Sequence, residues 1–186
     1  MALAKATGGQ VREAQLIASV SRHANQVNKA RIALQESFDK LDDARMTGLD
    51  DAIAEINGAG ANLLLERVYE GTPEIPIYLL ETPEGGRMAG TSNGEIDGQT
   101  LSIGRVALRT RGGEIRAAAI AISRDIRRRE VASVMLEELV QAMGLPTDVR
   151  SPAYRRSIFS EEGNSVVWLR GQDAEALRRH YPHFRH

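Results

Sequence analysis

The sequence predicts an α/β (α+β) fold built around one sheet, and three observations carry that prediction. A stretch from Val11 to Arg45 has no proline or glycine and spaces its apolar residues as a helix does. Four short β-rich runs follow, each bounded by turn residues, and the last of them leads into a strongly patterned helix.

In the first segment Leu16, Val20, His23, Val27, Ala30, Leu34 and Leu41 recur at steps of three and four, with one gap near Ser37. This is the stripe of a long amphipathic helix. With His23 and Ala30 in two seam positions it suits docking on a domain better than a coiled coil, although an oligomer formed through residues 11–45 is an open alternative. Thr47-Gly48-Leu49-Asp50 reads as a second helix start, whose stripe Leu49, Ala52, Ile53 and Ile56 ends at Gly58 and Gly60. The organisation expected is therefore a helical segment over 1–46 and a domain over 47–186.

The strand-like runs are Leu63 to Tyr69, Ile75 to Glu81, Leu101 to Thr110 and Ile115 to Ser123. Between the second and third, Thr82 to Gln99 is rich in Gly, Thr, Ser and Asn and reads as a long loop, either lining a cleft or lying free on the surface. The best-defined helix runs from about Ile126 to Met143, with Ala132, Met135, Leu136, Leu139 and Met143 on one face. Gly144 and Pro146 end it. Ser151 to Gly163 is irregular, and Gln172 to His180 forms a last helix before Tyr181-Pro182.

Composition narrows the function. With 42% hydrophobic and 26% charged residues among 186, the chain is that of a globular protein, and no run approaches the ~18 apolar residues of a membrane span. A net charge of −1 supplies no global field for nucleic acid, and the local run Arg124, Arg127, Arg128, Arg129 reads as a solvated face. Without cysteine there is neither a disulfide nor a thiolate nucleophile or ligand. No apolar stretch stands behind a basic N-terminus, so no secretory signal is expected in this chain. His23 is the only histidine before the tail, which disfavours a Ser-His-Asp triad. The tail residues His180, His183 and His186 are three apart, but Pro182 interrupts the helix that would align them on a metal.

The informative constellation lies on the patterned helix, which reads Glu137-Glu138-Leu139-Val140-Gln141-Ala142-Met143-Gly144-Leu145-Pro146-Thr147-Asp148. Taken alone, Glu137, Glu138 and Gln141 would suit the polar face of any amphipathic helix. The spacing, however, resembles the metzincin protease signature H-E-x-x-H-x-x-G-x-x-H followed by Asp. Glu138, Gly144 and Asp148 stand at the retained positions, and Glu137, Gln141 and Thr147 stand where the family has its three histidines. Ser157-Ile158-Phe159 lies where such proteases carry the Ser/Ala-x-Met turn, with Phe159 at the methionine position, and the resemblance spans about Leu49 to Pro182. The E-E-x-x-Q helix with G-L-x-x-D and Ser-Ile-Phe is most similar to a proteobacterial family built on a domain of unknown function, whose members include lipoprotein-like sequences.

The resemblance implies a zincin-like mixed sheet with an active-site helix, and a bacterial envelope or periplasmic setting. It also poses a chemical question. In the protease motif two imidazoles one helical turn apart hold zinc, and the glutamate takes a proton from metal-bound water. Zinc lowers that water's pKa from about 15.7 to about 7, and without it Glu138 would be far too weak a base. Glutamine and threonine are poor zinc ligands, and a calcium ion would want about six or more oxygens. The expectation is a pseudopeptidase without a metal or other cofactor, in which Glu138 is vestigial as a catalyst and a protein or peptide binds against a sheet edge. An atypical hydrolase using Glu137, Glu138 and Gln141 is the alternative from a different class.

Overall fold

The computed structural model describes residues 28–36, 43–70, 72–112, 114–145, 149–161 and 165–183. Five strands form one mixed sheet in the order β2-β1-β3-β5-β4: β1 Asn28–Glu36, β2 Leu63–Arg67, β3 Ile75–Leu80, β4 Gly104–Arg111 and β5 Glu114–Ser123. The first four in spatial order run parallel, and β4 closes the series antiparallel to β5. Three helices accompany them: α1 Asp43–Gly58, α2 Val131–Ala142 and α3 Gln172–His180.

Four of the strands and the last two helices lie where the sequence places them. The long N-terminal helix does not: residues 28–36 are β1, and 11–27 and 37–42 lie outside the described residues. The reason is visible in the same stretch, since Ala30, Ile32 and Leu34 also recur at every second residue, the period of a strand. Parallel neighbours pair along both sides of β1, through Asn28↔Leu63 to Ile32↔Arg67 and Ile32↔Ile75 to Glu36↔Leu79. That double pairing, with Ile32 fully buried between them, outweighs a weak local helical preference. The sheet thus reaches back before the expected boundary at residue 46. The helix expected over 11–45 is therefore not continuous, being replaced by β1 at Asn28–Glu36.

The second helix also starts earlier than expected, at Asp43, so Thr47 and Gly48 lie inside α1. Gly48 meets the first turn of α2 there: a Cβ at this position would stand 2.8 Å from Val131 Cγ1, so the helices cross closely only because it is absent.

The two faces of the sheet are covered differently. Ala118, Ile120 and Ile122 of β5 point toward the helices and join Leu49, Ile56, Met135, Leu136 and Leu139 in the main core. On the other face Ala119 and Ala121 meet Leu80, Met88, Ile96, Leu101 and Ala107 in a smaller one. The segment Thr82 to Gln99, expected as a cleft lining or a free loop, is the cover of this second face. Met88 and Ile96 anchor it from within, and Asp97 ties the turn by accepting from the Thr91 hydroxyl at 2.7 Å and its backbone N–H at 3.1 Å. Those hydrogen bonds hold the Asp97 carboxyl below its ordinary range. Sequence composition recorded the turns but not the two buried apolar side chains that give the loop its own core.

Candidate functional site

The site is built by α2 beneath the edge strand β4. Val131, Met135, Leu136, Leu139 and Val140 bury the apolar face of α2, which fixes its rotation on the sheet. Glu137 and Gln141, one turn apart, are thereby both left half-buried on the same flank. They meet there, as their spacing predicts, with Gln141 Nε2 donating to Glu137 Oε1 at 3.3 Å.

Glu138 takes a different direction. It is only 7% exposed, an unusual state for a carboxylate-bearing side chain, and it packs against the backbone of Gly104 at the start of β4. A Cβ at position 104 would stand 2.7 Å from Glu138 Cδ and 2.8 Å from Cγ, so the strand approaches this side chain as closely as it does only because residue 104 is glycine. Gly104 escaped the sequence reading, although a glycine opening a strand is a known mark of close backbone approach.

At the C-terminal end of α2, Gly144 turns the chain with φ +93. A β-carbon there would also strike His180, at 2.9 Å from Nε2. His180 Nε2 lies 2.9 Å from the Met143 carbonyl oxygen, which also accepts the Tyr181 hydroxyl at 2.7 Å. Two side chains thus satisfy one carbonyl that the helix end leaves unpaired. His180 is 1% exposed, and its Nδ1 is buried without a hydrogen-bond partner. Nε2 is therefore the protonated nitrogen of a neutral ring. Burial pushes the His180 pKa down to about 4, against the opposing pull of the Met143 carbonyl, and burial likewise pushes the Tyr181 phenol up. His183 faces the Gly60 carbonyl at 3.3 Å instead, and His186 lies outside the described residues. The two tail histidines that are described, His180 and His183, thus face different carbonyls.

The Ser157-Ile158-Phe159 turn is buried throughout, and Phe159 belongs to the same apolar cluster as α2. Its shape is set by Asp173 in the first turn of α3. The Ser157 hydroxyl donates to Asp173 Oδ1, the Ile158 N–H to Oδ2 at 3.0 Å, and the Phe159 N–H to Ser157 Oγ at 3.0 Å. Burial raises the Asp173 pKa even though the hydrogen bonds from Ser157 and Ile158 pull it down. Asp173 carried no signal in the sequence, being 16 residues from the hydroxyl it holds.

The remaining signature residues, Thr147 and Asp148, lie outside the described residues, as does Pro146. Among the described residues no three His, Asp or Glu side chains gather into a metal-sized group. The donors at the zinc positions that are described, one carboxylate and one carboxamide bonded to each other, do not fit a tetrahedral zinc site, which is built from imidazole, thiolate or several carboxylates.

The architecture itself is shared with a metallopeptidase. The structure of myroilysin matches with a TM-score of 0.51 at 14% sequence identity, covering 96% of this chain and 87% of that one. A second myroilysin structure gives a TM-score of 0.48 at 13% identity over 85% of each chain. Identity at this level shows the fold alone, and that fold is zincin-like. No curated protein matches the chain. The model of the family described as proteins of unknown function (DUF2927) matches residues 4–183, so the chain is a member of the DUF2927 family.

Proposed function

We propose that this protein is a non-catalytic, metalloprotease-like domain that holds an extended peptide along the free edge of β4. The observation that carries the reading is the state of the three signature side chains on α2. Glu137 and Gln141 are bonded to each other, and Glu138 is packed under Gly104, so the described part of the signature presents no imidazoles for a metal and its glutamate is not exposed as a general base. The edge strand supplies the binding half. β4 pairs with β5 on one side, and among the described residues no strand pairs with its other side. An unpaired edge offers a ladder of N–H and C=O groups to an incoming strand.

Metal content tests the non-catalytic half. Protein purified without chelator and exposed to excess zinc should retain only substoichiometric metal after gel filtration, measured by atomic emission. One zinc per chain, lost in the Glu137→Ala/Gln141→Ala variant, would overturn the reading and restore a metallohydrolase.

A further inference from the structure

We propose that the partner of the β4 edge is an extended segment alternating acidic and apolar residues, recognised by a stripe of arginines on one face of that strand. The inference rests on the strand-binding reading above and adds the chemistry of the ligand.

The stripe follows from the strand's period of two. In Gly104–Arg111 the residues Arg105, Ala107, Arg109 and Arg111 share a face, and the burial of Ala107 in the smaller core identifies it as the one under the 82–99 cover. The register with β5 shifts between Arg109 and Thr110 because β5, not β4, carries the extra residue, so the alternation along β4 is preserved. Local acids answer only part of this charge. Arg105 is held by a neutral group, Gln99 Oε1 at 2.8 Å, and Arg109 stands 3.5 Å from Glu95 with its side chain 64% exposed. Arg111 is exposed and has no ion pair among the described residues.

The opposite face of β4 has another character. Val106 and Leu108 are half-buried apolar residues at the margin of the main core, with Gly104 above Glu138 at the strand's start. A strand added to β4 places its side chains directly across from these two sets. Residues of one parity would then meet Arg105, Ala107, Arg109 and Arg111, three arginines in four positions, and those between would extend the apolar margin formed by Val106 and Leu108. Acidic side chains at the first parity gain opposite charge, basic ones meet like charge, and the apolar parity is indifferent to both.

The test uses three eight-residue probes matching the length of β4, alternating valine with glutamate, with glutamine or with lysine. Affinity is read by fluorescence anisotropy, and location by hydrogen exchange of the β4 amides. The glutamate peptide should bind roughly tenfold more tightly than the glutamine one at low salt, with the lysine peptide weakest, and the gap should narrow as salt rises. It should also slow exchange in β4. Arg109→Glu/Arg111→Glu, which alters exposed side chains, should invert the order. Equal affinity of all three peptides, each protecting β4, would overturn the charge inference and leave the strand-binding reading standing. Absence of β4 protection by any peptide would overturn both. Binding of single-stranded DNA as tight as that of the glutamate peptide, and lost with the same arginines, would show a general anion surface and likewise overturn the inference.

Discussion

The open flank of α2 and the floor beneath it are two ends of one motif, and they differ in what holds their polar groups. On the flank, Glu137 and Gln141 are half-buried, and the hydrogen bond between them is long at 3.3 Å. In the floor, Ser157, Asp173 and His180 are each at most 3% exposed and are fixed by hydrogen bonds to backbone or to one another. A buried polar group that loses its partner costs far more than an exposed one, because water cannot replace the bond. The floor is therefore the part whose polar residues the fold depends on, while the flank can exchange its side chains with little structural consequence. Chemistry on the flank and architecture in the floor are separable, which is how a zincin-like fold can keep its floor while the flank carries Glu137 and Gln141.

The comparison breaks most sharply at Phe159. Its ring closes the apolar floor with 8% exposure, and Phe159→Ala should cost about 3 to 5 kcal/mol in chemical denaturation. A loss below about 1 kcal/mol would mean that the floor collapses around the gap and does not anchor the fold.

Acid should reveal the floor next. The His180 pKa is lowered to about 4 from an ordinary 6.5, so the unfolded chain takes up this proton first as pH falls. The stabilising contribution is whole above pH 6.5 and is lost progressively down to about pH 4, amounting to about 3 kcal/mol. Asp173 acts with the opposite sign. Its pKa is raised, so its protonation at lower pH favours the folded state and partly offsets the loss. The clean measurement is the difference in unfolding free energy between wild type and His180→Gln from pH 7.5 to 4.5, since Asp173 is common to both. A difference that does not change with pH would remove His180 from the account.

How much of this was legible in the sequence follows the same division. Glu137 and Gln141 are four apart on one helix, so their meeting was readable from spacing alone. Burial of Phe159 was readable from the turn it occupies in the resemblance. Strand β1 was misread because Ala30, Ile32 and Leu34 satisfy a period of two while Val27, Ala30 and Leu34 satisfy helical steps, and only the pairing with β2 and β3 decides between them. The link from Asp173 to Ser157, and the convergence of His180 and Tyr181 on the Met143 carbonyl, were not readable at all. They join residues 16 to 38 positions apart through chain turns that leave no periodic trace.

A smaller effect is expected where the floor's network is trimmed without emptying it. Asp173→Asn keeps the side chain's shape but replaces one acceptor oxygen by an NH₂ group, which cannot accept from both the Ser157 hydroxyl and the Ile158 N–H. The cost should be about 2 kcal/mol at neutral pH, reflecting one lost bond to a charged acceptor. It should grow in acid, because protonation of the raised wild-type carboxyl favours the folded state and the carboxamide has no proton to take up. A cost that does not change with pH would mean that packing, and not the ionisation of Asp173, sets the contribution of the turn.

The smallest effect belongs to the flank, and it decides whether the separation is real. Glu137 has interactions beyond Gln141, so single substitutions would mix several contributions. A double-mutant cycle with Glu137→Ala, Gln141→Ala and the pair isolates the bond between them. Polar pairs one turn apart on a helix contribute about 0.2 to 0.5 kcal/mol, and a half-buried contact at 3.3 Å has no reason to exceed that range. The coupling should therefore lie within it, and the double variant should keep the wild-type fold by circular dichroism. A coupling above about 1.5 kcal/mol would show that Glu137 and Gln141 form a structural clasp. The flank would then depend on its polar pair as the floor does on Asp173, and the side chains at the ligand positions could no longer be treated as free to change without consequence for the fold.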